Sequence, residues 1–287
     1  MRNIPVRRIT SSAKGKENIG SFSIREVQAL IHGKQLVHDL HRHDLFFLLA
    51  IHKGRGIHEI DFTPYNVHDN SFFILRPGQV HQLNLEAGSS GFLMEFDPGF
   101  YKPKNPGAVH RWEKAITKNY CQLSAEGFIK LNTSLKNILR EFTTRQEGFV
   151  EAIISHLDLF FIEYGRQSQH SNIITSSISD YAQDRFEKLV NLLEANIGSM
   201  KKVSQYADRL NLSSYQLNAI TKSSVGKTVS DLINEQIILE AKRHLLATDN
   251  QVKDIAGHLG YEDVSYFIRF FKKHTKHTPD AFRKNFK

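Results

Sequence analysis

The chain has 287 residues, of which 40% are hydrophobic and 24% charged, and this composition is ordinary for a soluble globular protein of about two domains. It contains neither an apolar run long enough to cross a bilayer nor a secretory signal at its start, so we expect a cytoplasmic protein without a membrane partner. The single cysteine, Cys121, excludes an internal disulfide, and the formal net charge of +8 is compatible with a polyanionic partner.

Short strands are predicted in the first third of the chain, after a polar arm at residues 1–20. From residue 21 to about residue 97, segments rich in β-branched and aromatic residues alternate with Gly, Pro, Asn and Asp, which is typical of a sandwich or barrel. The region contains HRHDLFFLLAIHKGRGIHEIDF followed by LRPGQVHQL, and so resembles the small cupin barrel at the N-terminus of AraC/XylS-type transcription regulators. The clearest segments are Leu45–His52, Gly56–Phe62, Ser71–Leu75, His81–Leu85 and Gly91–Phe96.

Three histidines are predicted to line the ligand site of this barrel. His41 and His43 alternate along the chain and so project from one face of a strand, and His81 lies where metal cupins have a third histidine. Metal cupins also expect a Glu about four residues after the second His, but Phe47 and Leu48 stand there. We therefore expect the three histidines to bind a small organic effector, and we predict neither a metal nor another cofactor. Three neutral imidazoles holding Zn or Fe stay the alternative.

Two amphipathic helices are predicted after the barrel, which ends in a Pro-rich stretch at about residue 111. Leu123–Arg145 and Phe149–Tyr164 carry apolar residues at helical spacing. Their apolar faces exceed what a small barrel needs, and in the resembled family such helices pair two protomers. We predict a homodimer formed by this hairpin, with packing onto the barrel as the alternative, and we assign residues 1–165 to one domain.

A flexible linker is predicted at residues 166–182, because the stretch from Gly165 to Asp180 is polar and rich in Ser. Helical periodicity then restarts at Phe186 and ends before Gly198, which we expect to be a C-cap glycine. The second domain is predicted to span residues 183–287.

The second domain contains the same helix-turn-helix unit twice. When Val203 is aligned with Val252, the stretch VSQYADRLNLSSYQLNAITKSSVGKT shares its apolar positions with VKDIAGHLGYEDVSYFIRFFKKHTKHT, with the offset growing by one past the turn. A helix of about twenty residues between the units is roughly 30 Å long. Two recognition helices held about one DNA turn apart, roughly 34 Å, can enter successive major grooves.

The stretch Ile255–Arg283, with its pattern IA…GY…SYF.R.FKK…TP..FR, closely resembles the signature of AraC/XylS-type regulators. The resemblance extends over nearly the whole chain. It implies an α+β fold, in which a cupin-like β-barrel and a helical dimerisation hairpin precede an all-α double helix-turn-helix domain. It also implies a transcription activator that binds double-stranded DNA and contacts RNA polymerase.

The last twenty residues are strongly basic, and such a concentration of positive charge suits phosphate contact. They contain one acid, Asp280, and the basic residues Arg269, Lys272, Lys273, Lys276, Arg283, Lys284 and Lys287.

The outward faces of the two recognition helices are predicted to contact DNA. Arg269 on the second helix can bond bidentately to guanine, and Asn218 on the first can bond to adenine. Ala219 stands where the second unit has Arg269, so we expect less base discrimination from the first unit. The predicted contact set is Tyr215, Gln216, Asn218, Ala219 and Lys222 on the first helix, with Val264, Ser265, Ile268, Arg269, Lys272 and Lys273 on the second.

One aligned pair leaves two interpretations open. Gly226 in the first unit corresponds to Lys276 in the second. If this position requires a positive φ, Lys276 is strained; if it does not, Lys276 adds a phosphate contact.

Two other classes of protein fit parts of the sequence. A cupin enzyme with an accessory DNA-binding tail requires a complete metal set or a base–nucleophile pair, and the sequence offers neither, so we predict no catalytic residue. An architectural DNA binder without sequence preference requires neither a hydrophobic barrel nor two different recognition helices. The sequence therefore favours a ligand-responsive, sequence-specific regulator, and it does not identify the effector or the target promoter.

Overall fold

The computed structural model describes residues 6–7, 22–31, 33–170 and 180–286, which belong to two compact units. One unit comprises the described residues up to 170, and the other comprises those from 180 onward. The predicted arm, apart from residues 6–7, and residues 171–179 of the predicted linker lie outside the described residues. Among the helices that are described, none combines the length and apolar character that crossing a bilayer requires.

The first unit is built on two five-stranded sheets. Its strands are β1 Val6–Arg7, β2 Phe22–Glu26, β3 Leu36–His43, β4 Phe46–Lys53, β5 Gly56–Ile60, β6 Thr63–Val67, β7 Ser71–Leu75, β8 Val80–Leu85, β9 Ser90–Phe96 and β10 Tyr120–Gln122. One sheet has the order β1-β3-β8-β5-β6 and the other β10-β7-β4-β9-β2. Strand β1 pairs with β3 in parallel, and the other neighbours pair antiparallel. The predicted β-rich N-terminal domain is confirmed.

Strand β4 shows why the run FFLLAI lacks the alternation of a half-exposed strand. Phe47 and Leu49 pack in a core shared by both sheets. Phe46 and Leu48, on the opposite face, pack in a second core together with the helices of this unit. A strand covered on both faces is apolar nearly throughout. One strand therefore joins the interior of the sheets to the helical layer.

Four helices accompany the sheets: α1 Val27–Ile31, α2 Pro106–Ile116, α3 Ala125–Thr144 and α4 Phe149–His170. Helix α2 begins inside the Pro-rich stretch that was expected to end the barrel. Asn105 caps it, since its side chain accepts a hydrogen bond from the backbone N–H of Ala108 at 2.8 Å, and Pro106 occupies the first turn. The Asn-Pro pair was a helix-start signal that the sequence interpretation overlooked.

The apolar faces of α3 and α4 are buried within one chain. They share a core with strands β4, β7 and β9, which is the alternative of packing onto the barrel. Among the large hydrophobic side chains described on these two helices, Ile129 and Leu159 are exposed, by 61% and 55%. The surplus of apolar surface that suggested dimerisation was therefore overestimated, and a homodimer stays a prediction. The buried set is Phe128, Leu131, Leu135, Ile138, Phe142, Ile153, Leu157, Phe160, Phe161 and Tyr164.

The helices take several residues from the predicted linker, because α4 continues to residue 170 and the next helix begins at residue 180. Gln167 explains the extension of α4. Its side chain fills the space that a Cβ at Gly127 of α3 would occupy, and its Nε2 donates to Glu163 Oε1 at 2.6 Å. These contacts outweigh a polar composition that favours a flexible segment.

The second unit is entirely helical within the described residues. Its helices are α5 Asp180–Asn196, α6 Val203–Arg209, α7 Ser214–Val225, α8 Val229–Ala247, α9 Val252–His258, α10 Val264–Thr275 and α11 Pro279–Phe286. Helices α6 and α7 form the first predicted helix-turn-helix unit, and α9 and α10 form the second. Helix α8, with 19 residues, is the predicted connecting helix. The all-α double helix-turn-helix domain is confirmed.

Gly198 follows α5 as expected, but not for the expected reason. Its φ lies outside the left-handed region, so it is not a left-handed C-cap. A Cβ at Gly198 would lie 2.7 Å from the carbonyl oxygen of His258, and a Cβ at Gly260 would overlap the carbonyl oxygen of Gly198. The two glycines allow the backbone after α5 to touch the turn of the second helix-turn-helix unit.

Candidate nucleic-acid interface and ligand site

Helix α10, the predicted recognition helix of the second unit, is anchored on one face and polar on the other. Phe267 and Phe271 are fully buried. Asp263 caps the helix through Oδ1, which accepts a hydrogen bond from the Ser265 N–H at 2.7 Å. The opposite face therefore has a fixed position relative to the core. Of the predicted contact residues, Ser265, Arg269, Lys272 and Lys273 are exposed, whereas Val264 and Ile268 are half-buried.

Arg269 is held only weakly by the protein. Its Nη2 lies 3.9 Å from Asp263 Oδ2, and both side chains are mostly exposed. Exposed ion pairs at this distance contribute little, about 0–1 kcal/mol. The guanidinium can therefore turn toward a guanine at low cost.

Helix α7, the predicted recognition helix of the first unit, begins with a capping box. Ser213 Oγ accepts from the Gln216 N–H at 3.2 Å, while Gln216 Oε1 accepts from the Ser213 N–H at 2.9 Å. Beside this box, Tyr215 is 84% exposed, and Ala219 and Lys222 are also exposed. The outward face of α7 is thus less charged than that of α10.

The sequence interpretation omitted Tyr266, which is 55% exposed on α10. By the repeat alignment it corresponds to Gln216. Extending the alignment by one residue beside Phe267 would have identified it.

Asn218 lies on α7 but is engaged within the protein. Its Nδ2 donates to the Ser214 carbonyl at 2.9 Å, and its Oδ1 accepts from the Val229 N–H at 3.0 Å. Val229 is the first residue of α8, so the half-buried Asn218 ties α7 to the connecting helix. Adenine is recognised by the same two amide groups. The contact with adenine stays a prediction, and this geometry favours a positioning role instead.

The C-caps of the two recognition helices have the same backbone conformation. Gly226 has φ +72° and Lys276 has φ +67°, both left-handed. The position therefore requires a positive φ, and Lys276 adopts it without the freedom of glycine. Its side chain is exposed, so a phosphate contact is still compatible with this conformation.

Arg283 is less available to DNA than its place among the C-terminal cations suggested. Its Nε donates to the Leu245 carbonyl at 3.0 Å, and its Nη2 donates to the Asn250 carbonyl at 2.6 Å. Leu245 lies in the last turn of α8, where a cation stabilises the carbonyl end of the helix. Arg283 thus joins α11 to the connecting helix.

The three predicted ligand-site histidines converge inside the first unit. His41 and His43 lie on β3, and His81 lies opposite His41 on β8. All three are buried, and their ligand nitrogens lie within 4.8 Å of one another. The closest pair, His41 Nε2 and His43 Nε2, is 3.0 Å apart. A buried set of converging imidazoles is suited to a polar ligand or a cation.

Two further side chains, which were not singled out from the sequence, complete this histidine cluster. His58 Nε2 on β5 lies 2.8 Å from His81 Nδ1. Glu95 on β9 places Oε1 3.5 Å from His43 Nδ1, while its Oε2 accepts from Arg25 Nη2 at 2.6 Å. A single acid in the apolar strand SGFLMEF was the available signal. A carboxylate from another strand thus lies on the Nδ1 side of His43, and Glu95 does not belong to the group of three converging ligand nitrogens.

Burial keeps part of the cluster neutral. Desolvation, assisted by the neighbouring His41 and His38, lowers the pKa of His58 to about 3. Desolvation and the surrounding histidines also hold the pKa of His81 well below its usual value. Neutral imidazoles retain a lone pair that can accept a hydrogen bond or bind a metal.

Comparison with known proteins finds one family match in each of the two units. Residues 206–285 match the family described as a helix-turn-helix domain, and residues 29–103 match the AraC-like ligand binding domain. The activator RhaS from Pectobacterium carotovorum is 26% identical over 253 residues, covering 85% of this chain and 86% of that protein. The activator RhaR from Yersinia pseudotuberculosis is 17% identical over 256 residues, covering 86% and 84%. The solved structure of ToxT from Vibrio cholerae is 18% identical, covers 94% of this chain and 97% of that one, and has a TM-score of 0.42.

Two helix-turn-helix units joined to a β-sheet ligand-binding domain define a DNA-binding transcription regulator. The first match spans α7 to α10 in full, and the second spans β3 to β9 with the histidine cluster up to Glu95. The chain belongs to the AraC family of transcription regulators.

Proposed function

We propose that this protein is a transcriptional activator that reads an extended DNA site with α7 and α10 and responds to a small molecule bound in its β-sheet unit. The observation that carries the proposal is the pair of exposed recognition faces at the two ends of α8. With 19 residues, α8 is about 28 Å long, close to one DNA turn of roughly 34 Å. One chain therefore places its two recognition helices in successive major grooves.

The two helices contribute differently to recognition. Arg269 bonds to guanine and supplies most of the base discrimination, while Ala219 offers only an apolar contact, such as with a thymine methyl. Lys222, Lys272 and Lys273 are exposed beside these positions and contact phosphates. Affinity is thus shared between the units, and specificity lies mainly in the second.

The effector binds at His41, His43 and His81. These imidazoles are buried, and Phe47 packs against His43 and His81, so their ring nitrogens can hydrogen-bond a polar ligand in a site shielded from water. Differential binding to two states of the protein then shifts its response to DNA. The similarity to the transcriptional activators RhaS and RhaR supports activation rather than repression. Contact with RNA polymerase and a location in the cytoplasm are further parts of the proposal.

A homodimer is part of this proposal, with α3 and α4 as the contact surface. Ile129 and Leu159 support it, because both remain exposed on these helices. Sedimentation of the full chain at tens of micromolar tests the dimer, and Ile129→Ser is expected to weaken it. A monomeric wild type would leave α3 and α4 a purely intramolecular role.

The proposed function is tested by chromatin pull-down with sequencing, combined with transcript measurement in a deletion strain. We expect a small set of promoters to be enriched and their transcripts to fall on deletion. In vitro, the enriched sites should outcompete unrelated DNA by at least about 10³-fold. Equal competition by unrelated DNA would instead indicate an architectural DNA binder.

A further inference from the structure

Each histidine of the triad His41, His43 and His81 has its Nδ1 facing a partner outside the triad. His41 Nδ1 lies 2.6 Å from the carbonyl oxygen of Asp39, and His43 Nδ1 lies 3.5 Å from Glu95 Oε1. His81 Nδ1 lies 2.8 Å from His58 Nε2. A neutral imidazole that donates through Nδ1 carries its lone pair on Nε2. The partners thus leave the Nε2 lone pairs of the three histidines available for a common ligand, since one ligand nitrogen of each lies within 4.8 Å of the others.

Two of the Nε2 atoms, those of His41 and His43, are close enough to require a proton or a cation between them. His41 Nε2 and His43 Nε2 are 3.0 Å apart, and two lone pairs at that distance repel each other unless a proton or a metal ion lies between them. His81 Nε2 is buried without a hydrogen-bond partner in the part of the chain that the structure describes. Its ring centroid lies 4.3 Å from that of His41 and 5.1 Å from that of His43.

We propose that His41, His43 and His81 bind one divalent transition-metal ion, best matched by Zn²⁺, through their Nε2 atoms. Zinc is bound by neutral imidazoles at about 2.0–2.1 Å, which places neighbouring nitrogens about 3.3 Å apart in a tetrahedron. The present separations, from 3.0 Å to at most 4.8 Å, reach that value by small side-chain shifts. Glu95 does not replace the ligand that is missing four residues after His43, so the ion would have three protein ligands, a number that suffices for zinc.

Glu95, the Asp39 carbonyl and His58 are outer groups in this arrangement. A histidine that ligates a metal usually donates its other ring N–H to a carboxylate or a carbonyl, which fixes the ring and strengthens the ligand. Arg25 in turn holds Glu95, at 2.6 Å. Glu95 and His58 are therefore positioning residues, whereas His41, His43 and His81 are the metal ligands.

Three protein ligands leave a fourth coordination position open. In the sensor proposed above, on which this step rests, that position takes an oxygen or nitrogen donor of the effector, so that the effector contacts the three histidines through the metal ion rather than by direct hydrogen bonds. The metal site itself depends only on the contacts within the first unit, so it can be tested without DNA and without the effector.

The test uses the full chain purified without chelator, and it probes zinc alone. We expect about one zinc per chain by elemental analysis. After stripping, the same stoichiometry should return in a Zn²⁺ titration against a chromophoric chelator, and Co²⁺ should give visible bands of a tetrahedral site. His81→Gln is expected to abolish this binding, whereas the control His68→Gln, at an exposed histidine, should match wild type.

The positioning residues give a graded second test that does not depend on removing a ligand. Glu95→Gln and His58→Gln keep the triad and should weaken zinc binding by about 10–100-fold with unchanged stoichiometry. If His81→Gln does not fold, these two variants alone test whether the metal site exists.

The inference is overturned if stripped wild type does not take up zinc, or if His81→Gln or both positioning variants bind it as wild type does. Loss of binding in His68→Gln to the same extent would also overturn it. DNA binding measured in parallel separates the two proposals. A failed regulator would lack specific DNA binding with or without zinc, whereas a failed metal site would leave DNA binding intact.

Discussion

The two helix-turn-helix units have the same backbone plan but place glycine differently. The turn before the recognition helix is left-handed at Asn211 in the first unit, with φ +53°, and at Gly260 in the second, with φ +68°. The cap after that helix is left-handed at Gly226 in the first unit and at Lys276 in the second. Each unit thus has one glycine and one residue with a side chain at the two positions that require a positive φ. The fold therefore requires a positive φ at both positions, whereas glycine itself is required only where another backbone segment lies in contact.

The recognition faces differ in the same manner. At the aligned positions Ala219 and Arg269, the first unit presents a methyl group and the second an exposed guanidinium. At the preceding pair, Asn218 is bonded to Val229 of α8, whereas Ile268 is half-buried. In the first unit this position therefore anchors α7 to α8, and in the second unit the next position carries the stronger base-reading group. The comparison predicts an anchoring unit and a discriminating unit.

The largest effect is expected for Gly260→Ala. Its Cβ would overlap the carbonyl oxygen of Gly198, and its φ is positive, so we expect a loss of about 3 kcal/mol in the free energy of unfolding of the helical unit. Gly226→Ala is the matched control, because its φ is similar but no atom lies within 4 Å of its Cβ. The control should lose only about 1 kcal/mol. Urea unfolding followed by circular dichroism measures both, and equal losses would show that the contact with Gly198 is unimportant.

Arg269→Ala is expected to weaken binding to the specific site by about 1–3 kcal/mol and to relax preference at one base pair. The reciprocal variant Ala219→Arg should add a preference in the half-site read by α7. Affinities for sites with single base changes measure both variants. If the footprint and affinity of Arg269→Ala equal those of wild type, Arg269 does not contact a base.

Asn218→Ala distinguishes a role in holding α7 against α8 from a role in direct contact with a base. Loss of the hydrogen bond to the Val229 N–H should lower the free energy of unfolding by about 1 kcal/mol. It should also weaken the affinity for every DNA site by the same factor, without changing base preference. Thermal melting and competition binding provide the two readouts. If stability is unchanged and preference for an A·T pair is lost, Asn218 reads adenine directly.

Lys276→Gly should stabilise the helical unit by about 0.5–1 kcal/mol, since glycine adopts φ +67° without steric cost but loses more backbone entropy. Gly226→Lys in the first unit is the mirror-image variant and should destabilise by a similar amount. Unfolding is measured in the absence of DNA, so that loss of the lysine's proposed phosphate contact does not affect the result. A less stable Lys276→Gly would mean that the lysine side chain makes a contact that stabilises the cap.

The smallest effect is expected for single phosphate contacts. Lys273→Ala should reduce the slope of log affinity against log salt by about 1. Lys136→Ala, at an exposed lysine on α3, is the matched control and should leave the slope unchanged. A wild-type slope for Lys273→Ala would make that lysine a bystander.

The sequence predicted most of what depends on local periodicity. The spacing of Ile255, Phe267 and Phe271 was enough to place the second helix-turn-helix unit, and alternation was enough to bring His41 and His43 to one face. What it could not predict depends on partners distant along the chain. Glu95 becomes part of the histidine cluster only because β9 and β3 belong to facing sheets, and Asn218 becomes a brace only because α8 starts beside it.

One chain is proposed to read two successive major grooves and to discriminate bases mainly through α10. This reading is tested by measuring the affinity of the full chain, as wild type and as Arg269→Ala, for a set of DNA sites in which single base pairs of the selected site are replaced. We expect two blocks of sensitive base pairs centred about 10 bp apart. In Arg269→Ala, the more sensitive block should lose its sensitivity to base changes, and the other block should keep it. A single block, or an equal loss at every position in Arg269→Ala, would contradict the proposal.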